Sequence, residues 1–85
     1  MKKVDRLLES KPFVELLQKQ IKRKAELYDG IHASRPIYEW LAFLSEETGE
    51  VASELIRDRL ESAQAECVDV AHTAMLLWME LERQK

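Results

Sequence analysis

The chain has 85 residues, enough for one domain at most, and its single cysteine excludes a disulfide within the chain. Its net charge of −3 argues against a general nucleic-acid-binding protein, which would need a basic face. The longest nearly apolar run, at residues 74–79, is too short to cross a bilayer, and no signal peptide is visible. We therefore expect a cytoplasmic protein that binds neither a membrane nor a nucleic-acid polymer.

The first half of the chain is predicted to be helical. Helix formers dominate, and there is no period-2 alternation of the kind that indicates strands. Residues 3–9 are predicted to form a short first turn or two. A longer helix then begins near Pro12, with Ser10 or Lys11 as its N-cap, because proline is tolerated in the first turn of a helix. This helix is expected to end near Gly30.

Two long helices are predicted after a loop at residues 29–36. The first should run over about 36–57, with Ser34 as its N-cap. The second should run over about 59–82, because Asp58, followed three residues later by Glu61, has the pattern of a capping box. The connection of about three residues then forces an antiparallel helical hairpin.

Each long helix carries an apolar stripe at helical spacing, and Cys67 lies at the centre of the second stripe as a predicted packing residue. The last helix is also apolar on every side at 74–79, and such a helix has to be buried all round. One chain of this length cannot easily surround it. We therefore predict an all-α, antiparallel bundle of three to four helices per chain, completed by assembly into a homodimer or tetramer. The stripes are Ile37, Leu41, Leu44, Thr48, Val51 and Leu55, then Leu60, Ala63, Cys67, Ala71, Ala74, Trp78 and Leu81.

Acidic residues flank these stripes. On a helical wheel Glu47, Glu50 and Glu54 form a line beside the apolar stripe rather than opposite it. Glu66 and Asp69 lie one turn apart on the next helix. A tight hairpin would bring the two acidic pairs together, and their repulsion would be relieved by a hard divalent cation such as Mg²⁺ or Mn²⁺. The alternative is an ordinary solvated acidic face.

The same residues carry a family resemblance. "EETGE" at 46–50, followed after fifteen residues by "ECVD" at 66–69, resembles the EExxE…ExxD signature of the MazG-like, all-α NTP pyrophosphohydrolases. The flanking stretches "WLAFLSEETGEVASEL" and "ECVDVAHTAMLLW" are similar to the two metal-binding helices of that family. The likeness covers about residues 37–80.

The resemblance implies an enzyme that hydrolyses nucleoside triphosphates between the α and β phosphates, releasing a nucleoside monophosphate and pyrophosphate. By position it assigns the Mg²⁺ ligands to Glu47, Glu50, Glu66 and Asp69, and it gives Glu46 the role of assisting a further metal or orienting the attacking water. The short connection at 57–59 and the residue Thr73 depart from many family members.

Three further residues are candidates for binding the substrate. Trp40 precedes the acidic line by about two turns and Phe43 by about one turn, so they are placed to stack on a base, although a core or interface role is the alternative. Lys24 is the favoured phosphate partner because it lies on the inner stripe of its helix. The loop residue His32 is another candidate contact, and Gly49 is expected to let a neighbouring helix pack closely behind the ligands. The other candidate phosphate partners are Lys22, Arg23, Arg35, Arg57 and Arg59.

Two other functions stay open at this point. Phosphoribosyl-ATP pyrophosphohydrolases share the acidic pattern and would differ in their product. A helical binding or regulatory module would carry the same acids as a solvated face or a structural metal site. Failure to hydrolyse any triphosphate would favour the module.

Overall fold

The computed structural model describes residues 9–27 and 34–85, and every regular element within these ranges is an α-helix. Helix α1 spans Lys11–Leu27, α2 spans Ile37–Ile56 and α3 spans Leu60–Arg83. The prediction of an all-α chain is confirmed. The predicted turns at residues 3–9 fall almost wholly outside the described residues, and the predicted end of α1 near Gly30 and the loop residue His32 also lie outside them. Within the described ranges, no helix combines the length and apolar character that a membrane span requires.

Helix α3 lies at the centre of the arrangement, because α2 packs along it and α1 also contacts it. The turn between α2 and α3 reverses the chain over Arg57, Asp58 and Arg59, as the antiparallel hairpin requires. The Asp58 N–H donates to the Leu55 carbonyl at 3.0 Å, and the Arg59 N–H donates to the Glu54 carbonyl at 2.9 Å. This pair of bonds is the Schellman ending of a helix.

Both predicted N-caps of the hairpin are wrong. Asp58 is the residue with positive φ, at 60°, that ends α2, so it cannot also cap α3, whose N-cap is Arg59 without a side-chain bond. Helix α2 begins after Pro36, again without a side-chain cap. The Ser34 hydroxyl instead donates to Glu80 Oε1 at 2.7 Å, a charge-assisted hydrogen bond to a buried carboxylate.

Ala63 is buried as the predicted stripe of α3 requires, but beyond it the buried face is displaced by about one residue, or roughly 100° of rotation. Val68 and His72 are buried there, whereas Cys67 is exposed. The displacement has a tertiary cause, because α3 packs against α1 as well as α2 and its buried face points between them. The prediction that Cys67 is a packing residue is therefore wrong within the described residues.

An apolar surface remains open on the hairpin. An open groove of about 380 Å³ runs between α2 and α3, and we call it the outer groove. Trp78 at the far end of α3 is 62% exposed, so the stretch at 74–79 is not surrounded within the chain. The groove is lined by Thr48, Val51, Ala52, Leu55, Cys67 and Val70.

Candidate metal and nucleotide site

The hairpin brings the two predicted acidic pairs to one place. The carboxyl group of Glu66 on α3 lies against those of Glu50 and Asp69, and the charges of Asp69 and Glu50 also act on Glu47. Acids one turn apart on antiparallel helices meet in this way because the tight turn fixes the register of the pair. The four side chains form what we call the acidic cluster.

Glu66 lies against two other acids of the acidic cluster. Burial, hydrogen bonding to Glu50 and the charge of Asp69 raise the pKa of Glu66 to about 7. Its Oε2 atom is buried and has no hydrogen-bond partner among the described residues. A carboxyl group in this state favours a proton or a cation, since either one relieves the repulsion among its neighbours.

Glu47 is held from α3. Burial raises the pKa of Glu47, and the charges of Asp69 and Glu50 add to the effect, while the Thr73 hydroxyl and Lys24 oppose it. The Thr73 Oγ1 hydroxyl donates to Glu47 Oε1. This contact of Thr73 could not be predicted from the sequence, where Thr73 was notable only as a departure from the pattern of the family.

Helix α1 contributes two residues to the same cluster. Gln20 Nε2 donates to Asp69 Oδ1, and Lys24 Nζ lies 3.8 Å from the same oxygen. Gln20 was not predicted as a site residue. A signal for it existed, because Gln20 and Lys24 are the polar positions, four residues apart, in an otherwise apolar stripe of α1.

The acidic cluster fits a hard divalent cation in the chemistry of its donors, since all of them are carboxylate oxygens. As the side chains stand, no group of three or more His, Cys, Asp or Glu residues among those described is arranged to hold a metal ion. Asp69 is engaged by Gln20, and Glu47 is engaged by Thr73. Metal binding therefore requires these carboxylates to exchange their present contacts for the cation.

Three neighbouring residues of α2 differ in their placement. Glu46 is exposed, as the helical wheel predicts. Glu54 extends the acidic line; its Oε2 is buried without a hydrogen-bond partner among the described residues and lies 3.8 Å from Arg59 Nη1. Among residues 9–27 and 34–85, nothing lies within 4 Å of a Cβ atom added at Gly49. The expectation that a helix packs closely against Gly49 is therefore wrong for the three described helices.

A cavity of about 190 Å³ lies next to Glu47 and brings the predicted substrate residues together. Trp40 is 3% exposed and forms part of the core, while Phe43 is 36% exposed. Their rings meet edge to face with centroids 5.9 Å apart. The cavity, which we call the inner cavity, is lined by Lys24, Arg35, Trp40, Phe43, Glu47, His72, Thr73 and Leu76.

Arg35 is more closely involved in this cavity than the sequence indicated. Its guanidinium carbon lies 5.6 Å from the ring centroid of Trp40 and 5.6 Å from that of Phe43. Arg35 Nη1 donates to Glu39 Oε1 at 2.5 Å, and the Arg35 backbone N–H donates to Glu80 Oε1 at 3.0 Å. In the sequence Arg35 was only one of several candidate cations, because its partner Glu80 lies 45 residues further along the chain.

Comparison of the chain with protein-family models, with curated proteins and with solved structures finds no significant match. The resemblance to the MazG-like pyrophosphohydrolases therefore rests on the residues of the two acidic motifs and their flanking patterns.

Proposed function

We propose that the protein is a Mg²⁺-dependent nucleoside triphosphate pyrophosphohydrolase that cleaves between the α and β phosphates and acts on the cytoplasmic nucleotide pool. The observation that supports it most strongly is the meeting of Glu66 on α3 with Glu50 and Asp69, whose charges also act on Glu47; the pKa of Glu66 is raised to about 7. Such repulsion is costly without a cation, and Mg²⁺ held by a few carboxylates commonly completes its shell with substrate phosphates.

The residues take distinct roles in this proposal. Glu47, Glu50, Glu66 and Asp69 hold Mg²⁺, or Mn²⁺ in its place. The bound cation supplies charge neutralisation for the triphosphate and lowers the pKa of the attacking water. Glu46, which is exposed one residue before the cluster, accepts a proton from that water.

The inner cavity is the proposed substrate-binding site. Lys24, Trp40 and Phe43 line it together with Glu47, so a nucleotide bound there would lie against the acidic cluster. Lys24 Nζ lies 3.8 Å from Asp69 Oδ1, so its ammonium group is within reach of a phosphate oxygen bound beside that carboxylate.

We further propose that the chain works as a homodimer or tetramer that covers the outer groove. Leu55, which lines this groove, is 53% exposed. A second copy seated on the groove would remove this apolar surface from water. Light scattering on the eluting protein should give a multiple of the chain mass, and Val70→Glu should reduce it.

The decisive test of the activity is a panel of NTPs, dNTPs and phosphoribosyl-ATP in Mg²⁺, with pyrophosphate detected separately from phosphate. We expect pyrophosphate from the wild type and at least a hundredfold less from Glu50→Gln and Asp69→Asn. Glu61→Gln, an exposed acid on α3, is the matched control and should retain activity.

The other outcomes of this panel are equally informative. Turnover of phosphoribosyl-ATP alone would identify the related enzyme of histidine synthesis. No pyrophosphate from any substrate would contradict the proposal and favour a helical binding module that uses the outer groove.

A further inference from the structure

Two residues that line the inner cavity carry hydrogen-bond donors without an acceptor among the described residues. These donors are the indole Nε1–H of Trp40, a residue that is 3% exposed, and the Nε–H of Arg35, and both nitrogen atoms are buried. Most buried donors in folded proteins are paired. A ligand that brings acceptor oxygens to these two residues would pair both donors after a small movement of the side chains.

The aromatic rings of this cavity are already covered by a cation. The guanidinium of Arg35 lies 5.6 Å from the centroids of both Trp40 and Phe43. Glu39 holds the guanidinium through Nη1, and Glu80 holds the backbone of the same residue. A base that stacked on these rings would have to displace a guanidinium that Glu39 holds in place.

The charges of the lining favour an anion. Lys24 and Arg35 supply two cations, and the one acid of the lining, Glu47, already accepts a hydrogen bond from Thr73. Guanidinium and ammonium groups bind phosphate oxygens through charge-assisted hydrogen bonds, whereas the edges of a base are neutral.

We propose that the inner cavity binds the phosphate chain of the nucleotide and that the base lies outside it. Arg35 and Lys24 are the cations of this site, and the Trp40 indole N–H is its additional donor. Glu39 and Glu80 are positioning residues, since they hold Arg35 in place. The inference rests on the proposed function and specifies which part of the substrate the cavity takes. It also implies similar KM values for NTPs that differ only in their base.

The fluorescence of Trp40 provides a direct test. The chain has two tryptophans, so a Trp78→Phe variant leaves Trp40 as the sole reporter. Inorganic pyrophosphate is titrated into this variant in Mg²⁺, and the four common nucleosides are titrated separately. We expect pyrophosphate to change the Trp40 emission and the nucleosides to leave it unchanged.

Substitutions of Arg35 in the same background complete the test. Arg35→Gln should weaken pyrophosphate binding at least tenfold, and Arg35→Lys should retain part of it. Lys19→Gln is the control, because this cation is exposed on α1 and lines neither the inner cavity nor the acidic cluster. Circular dichroism and Tm of each variant establish that it is folded.

The proposal is overturned if nucleosides shift the Trp40 emission, if pyrophosphate does not shift it, or if Arg35→Gln binds pyrophosphate as the parent does. A different result would show that the proposed enzymatic function is wrong: pyrophosphate would bind as expected, but no triphosphate would be cleaved. Cleavage of triphosphates by Arg35→Gln with an unchanged KM would contradict only the proposal that the inner cavity binds the phosphate chain.

Discussion

At the scale of the residue, Glu80 shows how one buried carboxylate organises the start of α2. It accepts hydrogen bonds from the Ser34 hydroxyl, the Arg35 backbone N–H and Arg83 Nη1, at 2.7, 3.0 and 3.1 Å. The bonds from Ser34 and from the Arg35 backbone lower the pKa of Glu80 below its usual value. The residue thereby ties the segment before α2 to the end of α3.

Removal of the Glu80 charge should destabilise the protein in a pH-dependent way. A lowered pKa contributes stability above the unfolded-state value, and that stability is lost as pH falls through the folded-state value. Glu80→Gln should therefore lower Tm at pH 7, and the difference from the wild type should shrink below about pH 4.5. Glu82→Gln, which removes an exposed acid of the same helix, is the control for thermal melts across this range.

Glu66 shows the opposite shift and leads to the second prediction. Because the pKa of Glu66 is raised to about 7, its contribution to stability is present below the unfolded-state value and is lost as pH rises towards 7. With EDTA present, the Tm of the wild type should fall relative to the Tm of Glu66→Gln as pH rises from about 5 to about 8. A constant difference in Tm between the two proteins over this range would show that the pKa of Glu66 is not raised.

At the scale of the element, the turn between α2 and α3 carries local strain. Asp58 has a φ of 60°, in the left-handed region that glycine adopts without steric cost. Asp58→Gly should leave stability unchanged or raise it. Asp58→Val should be about 1–2 kcal/mol less stable than Asp58→Gly, because a β-branched residue suffers most in this conformation. Urea denaturation of the two variants measures the difference, and equal midpoints would contradict it.

Gly49 provides a second test within an element. A Cβ at this position of α2 meets open space, so Gly49→Ala should stabilise an isolated chain by up to about 1 kcal/mol through helix propensity alone. The measurement is urea denaturation at a concentration where the protein is monomeric. A loss of stability there would show that something does pack against Gly49.

The helices and the meeting of the acidic pairs followed from sequence because both depend on local spacing. A three-residue turn and acids one helical turn apart are sufficient to place Glu50 against Glu66. The rotation of α3 did not follow, since it depends on where α1 packs. Three side-chain contacts also did not follow, because each joins residues far apart in the chain and no local pattern indicates which partner a residue meets. These contacts are Ser34 with Glu80, Gln20 with Asp69 and Thr73 with Glu47.

At the scale of the whole molecule, the inner cavity and the outer groove lie on different sides of α3. The inner cavity and the acidic cluster draw described residues from all three helices, whereas the outer groove is lined by residues of α2 and α3. A second copy seated on the outer groove would thus leave the inner cavity lined by the same chain. We therefore expect Val70→Glu to affect the proposed assembly alone and Asp69→Asn to affect the proposed catalysis alone.

The proposed metal site is tested most directly by measuring the binding of a divalent cation to the acidic cluster. Mn²⁺ is titrated into the metal-free protein at pH 7.5, with binding followed by calorimetry and by the electron paramagnetic resonance signal of free Mn²⁺, and Mg²⁺ is then used as a competitor. We expect the wild type and Glu61→Gln to bind Mn²⁺ and Mg²⁺ to displace it, and we expect Glu66→Gln and Asp69→Asn to bind Mn²⁺ at least tenfold more weakly. Absence of binding by the wild type, or equal binding by all four proteins, would contradict the proposed metal site.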